Sequence, residues 1–181
     1  MSSNAVRGAL AGTVAGLAGS AAMVAFNHVL AATGFGDDDR GRHHQHRRDD
    51  AKPNDTDGTI SDEPGSIKLA RAVGERITGS PLTDRQKRIG GSLVHHLFGA
   101  ATGAVYGALA AKVPAVSAGA GLPYGFLVWL IADEAALPLF GLAQPPPNYR
   151  AERHAAALAS HLAFGLTVES VRSHLAPAPS T

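Results

Sequence analysis

Seven ionisable side chains, His28, His95, His96, Asp133, Glu134, His161 and Glu169, lie inside stretches that are otherwise almost wholly apolar. An ionisable group at bilayer depth costs ~2.5–3.5 kcal/mol or more, and it turns toward other protein groups or a wet interior. An imidazole beside a carboxylate is the arrangement with which a membrane protein holds a proton or builds a step in an ion path. The alternative is structural: the same groups hydrogen-bond across helices and fix their packing. His154 stands seven residues before His161 and Glu169 eight after it, so all three fall on one stripe of a helix. Asp133 and Glu134 are adjacent, about 100° apart on an α-helix, so one of them, Asp133, is expected to point at the bundle axis. The candidate set is therefore His95, Asp133, Glu134, His161 and Glu169.

Other chemistries lack their residues. Three histidines and two carboxylates are ligand types for zinc, copper, nickel or iron, yet no Glu-x-x-His or His-Glu-x-x-His spacing is present. The tract His43, His44, His46 sits in a charged segment and reads as solvated surface. There is no cysteine, hence no disulfide, thiolate site or thiol nucleophile. With no P-loop, dinucleotide fingerprint or Gly-x-Ser-x-Gly elbow, the expectation is a protein that is not an enzyme and holds no cofactor or metal. A formal net charge of +1, without basic residues interleaved with aromatics, argues against nucleic acid as a partner.

The elements that must position these groups follow from hydropathy. The mean hydropathy is near zero, but it averages two populations, charge-poor Ala/Gly/Leu/Val blocks and one polar segment. A bilayer core of ~30 Å needs about 20 helical residues. Four blocks meet that length, at about 8–33, 89–113, 115–142 and 151–175, the last being the least apolar. A cleaved signal peptide is the rival reading of the first block, but its apolar run exceeds the ~15 residues of a signal core. The polar linker 34–66 contains too little apolar surface to fold alone. Ser66 is expected to cap a short amphipathic helix, 67–78, stopped by Gly79, which either lies at the membrane surface or packs on another part of the chain. Thr83 and Gln86 form a capping box pattern, Pro114 closes the second span, Pro123 and Pro138 predict kinks in the third, and Asn148 and Pro177 bound the fourth. The fold class is thus an all-α integral membrane helical bundle, one domain over 1–181, with four transmembrane helices, a disordered linker and a surface helix.

Small residues recur every four positions at Gly8, Gly12, Gly16 and Ser20, and again at Gly99, Gly103 and Gly107. Such faces let helix backbones approach closely in lipid, where association depends on packing and not on expelling water.

His95, Phe98, Tyr106 and Pro114, then Gly125, Pro138, Gly141 and Leu142 with the prolines after them, then His161, Leu162, Glu169 and Arg172, resemble the pattern of the YagU-like bacterial inner-membrane proteins. The likeness covers about 93–172 and implies a multi-span inner-membrane protein; that family has no assigned molecular function and no catalytic residue to transfer. The sequence departs from the pattern in its His-rich linker and at Asp133, where some relatives are expected to carry His.

Two function classes fit. One handles protons or ions through His95, Asp133, His161 and Glu169; the other is a structural or accessory subunit that assembles with itself or a membrane partner through its Gly faces. The lipid bilayer is a partner in both. Arg7, Lys112 and Arg172 fall on one side of four spans, whereas Arg and Lys crowd 34–88 and join Arg150 and Arg153 on the other. The linker is accordingly expected in the cytoplasm and both termini in the periplasm.

Overall fold

The computed structural model describes residues 3–34 and 63–176; most of the linker, with His43, His44 and His46, lies outside the described residues, as does Pro177. Among the described residues there are helices and no strands. Helix α1 (Ser3–Thr33) precedes α2 (Gly65–Thr78) and α3 (Asp84–Ala110). A 3₁₀ segment, Pro114–Gly121, leads into α4 (Leu122–Trp129), which continues through a π-helical stretch, Leu130–Ala136, into a last turn, α5 (Leu137–Leu139). A 3₁₀ turn at Pro146–Asn148 precedes α6 (Ala151–Leu175).

Three stretches, Ser3–Thr33, Asp84–Ala110 and Pro114–Leu139, are long and apolar enough to cross a membrane. Their large apolar side chains point outward: Leu10, Val14, Leu93, Leu97, Val105 and Ile131 are all exposed. The buried set is small, with Ala15, Tyr106, Phe164 and Val168 at its centre. Water would drive the large side chains inward, so this inversion suits a lipid surround, where close backbone packing holds helices together.

Helices α1 and α3 run antiparallel and meet along the two Gly faces. A Cβ built at Gly8 would collide with the carbonyl oxygen of Gly107, one at Gly12 with that of Gly103, and one at Gly16 with that of Gly99. The two faces that predicted assembly therefore satisfy each other within one chain. Helix α6 packs on the other flank of α1, Gly19 against Phe164 and Val168, while Gly125 and Gly121 of the next strand of chain lie on the carbonyls of His161 and Gly165. Tyr106 and Tyr124 stack at 4.3 Å between ring centroids and close α3 onto α4. The order around the bundle is α3, α1, α6, α4.

Pro123 does not kink the third block. It occupies the first turn of α4, where its missing N–H is no loss, and the break comes before it, at Gly119, Ala120 and Gly121, all with positive φ. Gly121 has φ 83° and lies directly on the Gly165 carbonyl, so both its dihedral and its missing Cβ are used. Near Pro138 the regular ladder is replaced by wider turns, with the Leu137 N–H donating to the Ala132 carbonyl. In an unbroken α-helix the Pro138 ring would press on the Glu134 carbonyl, and the widened turn relieves that contact.

Helix α2 starts two residues earlier than expected and its N-cap is Pro64; Ser66 makes no cap. Gly79 stops it in the left-handed conformation, its N–H donating to the Glu75 carbonyl. Between the two readings of this helix, the structure has it packed on protein: Ile67 and Ala70 lie against Gly91 and Gly90 of α3, and Gly65 lies on Leu137. The Thr83–Gln86 capping box forms in both directions. Asn148 falls in the 3₁₀ turn and caps nothing; Arg150 precedes α6 in extended conformation without a side-chain cap.

Candidate functional site

Below the Tyr106–Tyr124 stack α3 and α4 diverge, and the space between them is a cavity of about 860 Å³. Its walls are mainly apolar, with Met23, Val94, Phe98, Val128 and Leu137 among them, and α2 covers it with Ser66, Lys68 and Leu69. Into this space come His95 from α3, Asp133 and Glu134 from the π-helical stretch, and His154 and His161 from α6, with Ser20 and Asn27 of α1.

The groups form two levels. Nearer the end that carries α2, His154 Nδ1 lies 2.7 Å from Glu134 Oε1 and its Nε2 lies 3.0 Å from the Pro146 carbonyl. Both ring nitrogens face oxygen atoms, so the ring bridges the Glu134 carboxyl and the backbone. Arg153 lies over the Tyr149 ring beside it, 4.2 Å from the centroid.

Two helical turns along α6, about 10 Å deeper, lies the second level. His161 Nδ1 lies 2.9 Å from the Ala157 carbonyl one turn back and 3.8 Å from Asp133 Oδ2. The first is a hydrogen bond and the second is not, so Nδ1–H donates to the backbone, and Nε2 makes no hydrogen bond to a described residue. His95 Nε2 lies 3.4 Å from the Ser20 carbonyl, and donating there leaves Nδ1 as its lone pair. Asp133 accepts no hydrogen bond from any described residue, and its side chain is 32% exposed to the cavity. This level therefore holds the Asp133 carboxyl and two histidine rings, each with one ring nitrogen that makes no hydrogen bond to a described residue.

Glu169 is not part of the cavity. Its carboxylate takes a fork from Arg172, Nε to Oε2 at 2.6 Å and the second terminal nitrogen to Oε1 at 2.7 Å, and Tyr106 Oη donates to Oε2 at 2.9 Å. With Arg172 only 6% exposed, this is a buried, fully paired lock between α3 and α6. It has no free proton site to offer, and its role is positional. The stripe of His154, His161 and Glu169 is real as a helical face, but the last member meets a different neighbour two turns on.

Asp133 lines the cavity, and Glu134 lines it as well. On the π-helical stretch each of the two carboxylates faces its own histidine on α6, and those histidines stand seven residues apart. His28 is exposed, and His96 bonds the Ser92 carbonyl of its own helix. Sequence reasoning missed the Asn27–Ser160 hydrogen bond between α1 and α6, the Glu134–His154 pair and the cover formed by α2. The first two carried only a polar side chain in an apolar block as their signal. Among the described residues no group of three or more His, Cys, Asp or Glu could hold a metal ion.

Comparison with known proteins gives one match. A family model described as a protein of unknown function, DUF1440, covers residues 67–170, more than half of the chain, and includes His95, Asp133, Glu134, His154, His161 and Glu169. No curated protein and no solved structure matches.

Proposed function

Because the chain belongs to the DUF1440 family, whose function is unknown, its role has to be argued from its own groups, and we propose that it is a four-span inner-membrane protein that handles protons rather than an enzyme. The observation that carries this reading is the deep level of the cavity, where Asp133, His95 and His161 share one space with unused acceptor positions inside an apolar-surfaced bundle. Protons entering there meet three basic groups, flanked toward the α2 end by the Glu134–His154 pair and Arg153. Helix α6 is the fourth span: less apolar than the others, it turns Ser160, His161 and Arg172 inward and is sheltered by α1 and α4. In liposomes containing the purified protein, an imposed pH gradient should dissipate faster than in empty vesicles, and Asp133→Asn should abolish the difference. Equal rates for the two proteins would remove the proton role and leave the cluster to packing.

Orientation is a second expected outcome. Thirteen Lys and Arg (Arg40, Arg42, Arg47, Arg48, Lys52, Lys68, Arg71, Arg76, Arg85, Lys87, Arg88, Arg150, Arg153) lie toward the linker side. Three, Arg7, Lys112 and Arg172, lie on the other, and Arg172 is neutralised by Glu169. The rule that cytoplasmic segments are rich in Lys and Arg puts segment 34–88 in the cytoplasm. Since the chain has no cysteine, single cysteines at positions 3, 56 and 180 can be labelled in intact spheroplasts with an impermeant thiol reagent. Positions 3 and 180 should label and 56 should not; labelling at 56 but not at 3 reverses the orientation.

A further inference from the structure

We propose that the cavity is a binding site for the primary ammonium group of an apolar or amphiphilic amine, held at its deep level by Asp133, His95 and His161. Three features of the space select that chemistry. Its size and walls suit an organic body: about 860 Å³ enclosed chiefly by Met23, Val94, Phe98, Val128 and Leu137 is far more than a proton or a bare ion occupies. Asp133 and the free ring nitrogens of neutral His95 and His161 are the acceptors at its deep level. Asp133 brings the charge without a hydrogen-bond donor of its own, and the two histidines, each donating its one N–H to a backbone carbonyl, bring the lone pairs of His95 Nδ1 and His161 Nε2. A primary ammonium has one positive charge and three N–H donors, so it complements one carboxylate and two neutral imidazoles, whereas an anion would face the Asp133 carboxylate.

The charges around the site agree with that polarity. Glu134 is occupied by His154, and the cations Lys68 and Arg153 belong to the mouth under α2, about 12 Å along α6 from His161 in the case of Arg153. Glu63 lines the same mouth, so both signs meet there, and Asp133 is the carboxylate at depth. The path is lined by apolar residues of α3 and the π-helical stretch, among them the exposed Phe98 and Ile131 on the outer surface of the bundle, so an amphiphile can enter sideways from the bilayer. The same ammonium chemistry occurs on free alkylamines and on aminophospholipid headgroups.

This site shares residues with the proton-handling reading but does not depend on flux, and it is tested on the full-length purified protein. Calorimetric titration with octylamine at neutral pH should show saturable binding, octanol none, and octyltrimethylammonium, which has the charge but no N–H, binding weaker on the order of tenfold or more. Asp133→Asn should abolish octylamine binding, and His95→Ala should weaken it by about tenfold; the unliganded melting curve of each variant shows whether it is folded, and the variant that is folded decides. Equal binding of octylamine and its trimethyl analogue, equal binding by a folded variant and the parent, or displacement of octylamine by millimolar sodium or potassium would each overturn the proposal. In nanodiscs, competition from phosphatidylethanolamine but not phosphatidylcholine marks the lipid as the source; octylamine binding indifferent to both marks a free amine, and either result supports the site. Flux that needs Asp133 with amine binding that does not would remove this site and leave the proton role. Amine binding that needs Asp133 in a protein without flux would do the reverse.

Discussion

Arg172→Ala should destabilise the protein by about 3–5 kcal/mol, the range for removing one member of a buried ion pair. The substitution deletes both hydrogen bonds of the fork to Glu169 and the hydrogen bond from the Arg172 guanidinium to the Ala176 carbonyl. What remains is a carboxylate that is only 12% exposed with the Tyr106 hydroxyl as its one donor. The loss is thus mostly the cost of an uncompensated buried charge, and this gives the prediction its internal check. Glu169→Gln combined with Arg172→Met should cost less than Arg172→Ala alone, since no unpaired charge is left. At ~2–4 °C per kcal/mol for a chain of this size, the single variant should melt about 10 °C or more below the parent in detergent. A fall of a degree or two would mean that the pair is solvated and that Glu169 is available for chemistry after all.

Gly103→Val should be comparably damaging for a purely steric reason. Gly103 faces Gly12 and Gly16 across the α1–α3 contact, and a Cβ there runs into the Gly12 carbonyl oxygen and close to the Gly16 backbone. Overpacking ordinarily costs ~1–3 kcal/mol because side chains yield. Here the obstacle is backbone on a facing helix, so the helices must separate and the cost should reach or exceed the upper end. Gly12→Val should do the same from the other side, whereas Gly34→Val, at a site with nothing within 4 Å but with φ 73°, should cause only a local change at the end of α1. Thermal unfolding of the three variants ranks them. Because these faces are consumed inside one chain, oligomeric state should not be the quantity that changes first; replacing Gly99, Gly103 and Gly107 together by Leu should unfold the bundle, and an intact fold with altered oligomerisation would show that the Gly faces pair between chains instead.

Much of the architecture was legible because lipid imposes simple rules on a sequence. Apolar runs of sufficient length, the four-residue spacing of small residues, the capping box at Thr83 and the stop at Gly79 are local signals, and each maps onto the helices described. The signals that failed were those with two physical outcomes. Pro123 can kink a helix or begin one, and what decided was the positive-φ run before it, where Gly121 is pressed against Gly165 of another helix. Ser66 and Asn148 are good capping residues, but the chain's path put Pro64 and Arg150 at the capping positions. The amphipathic pattern of 67–78 fits a membrane surface and a protein surface equally, and Gly90 and Gly91, by leaving room on α3, allowed the second.

The residue types alone determined that chemistry, if present, would involve imidazole and carboxylate: there is no cysteine, and the apolar blocks hold few other titratable groups. Which of them act together was decided only in three dimensions. Helical periodicity places His154, His161 and Glu169 on one face, yet periodicity says nothing of what that face meets along its length. Tyr106 and Arg172 claim Glu169 at one end, while at the other the separation of α3 from α4 leaves His95, Asp133 and His161 around open space. Glu134, on the π-helical turn before Pro138, lines the same cavity as Asp133, and the histidines that face the two stand seven residues apart on α6. Spacing along a chain fixes the direction in which a side chain leaves its own helix; whether it finds a partner, a wall or a cavity depends on the other helices, and that information is distributed over the whole bundle.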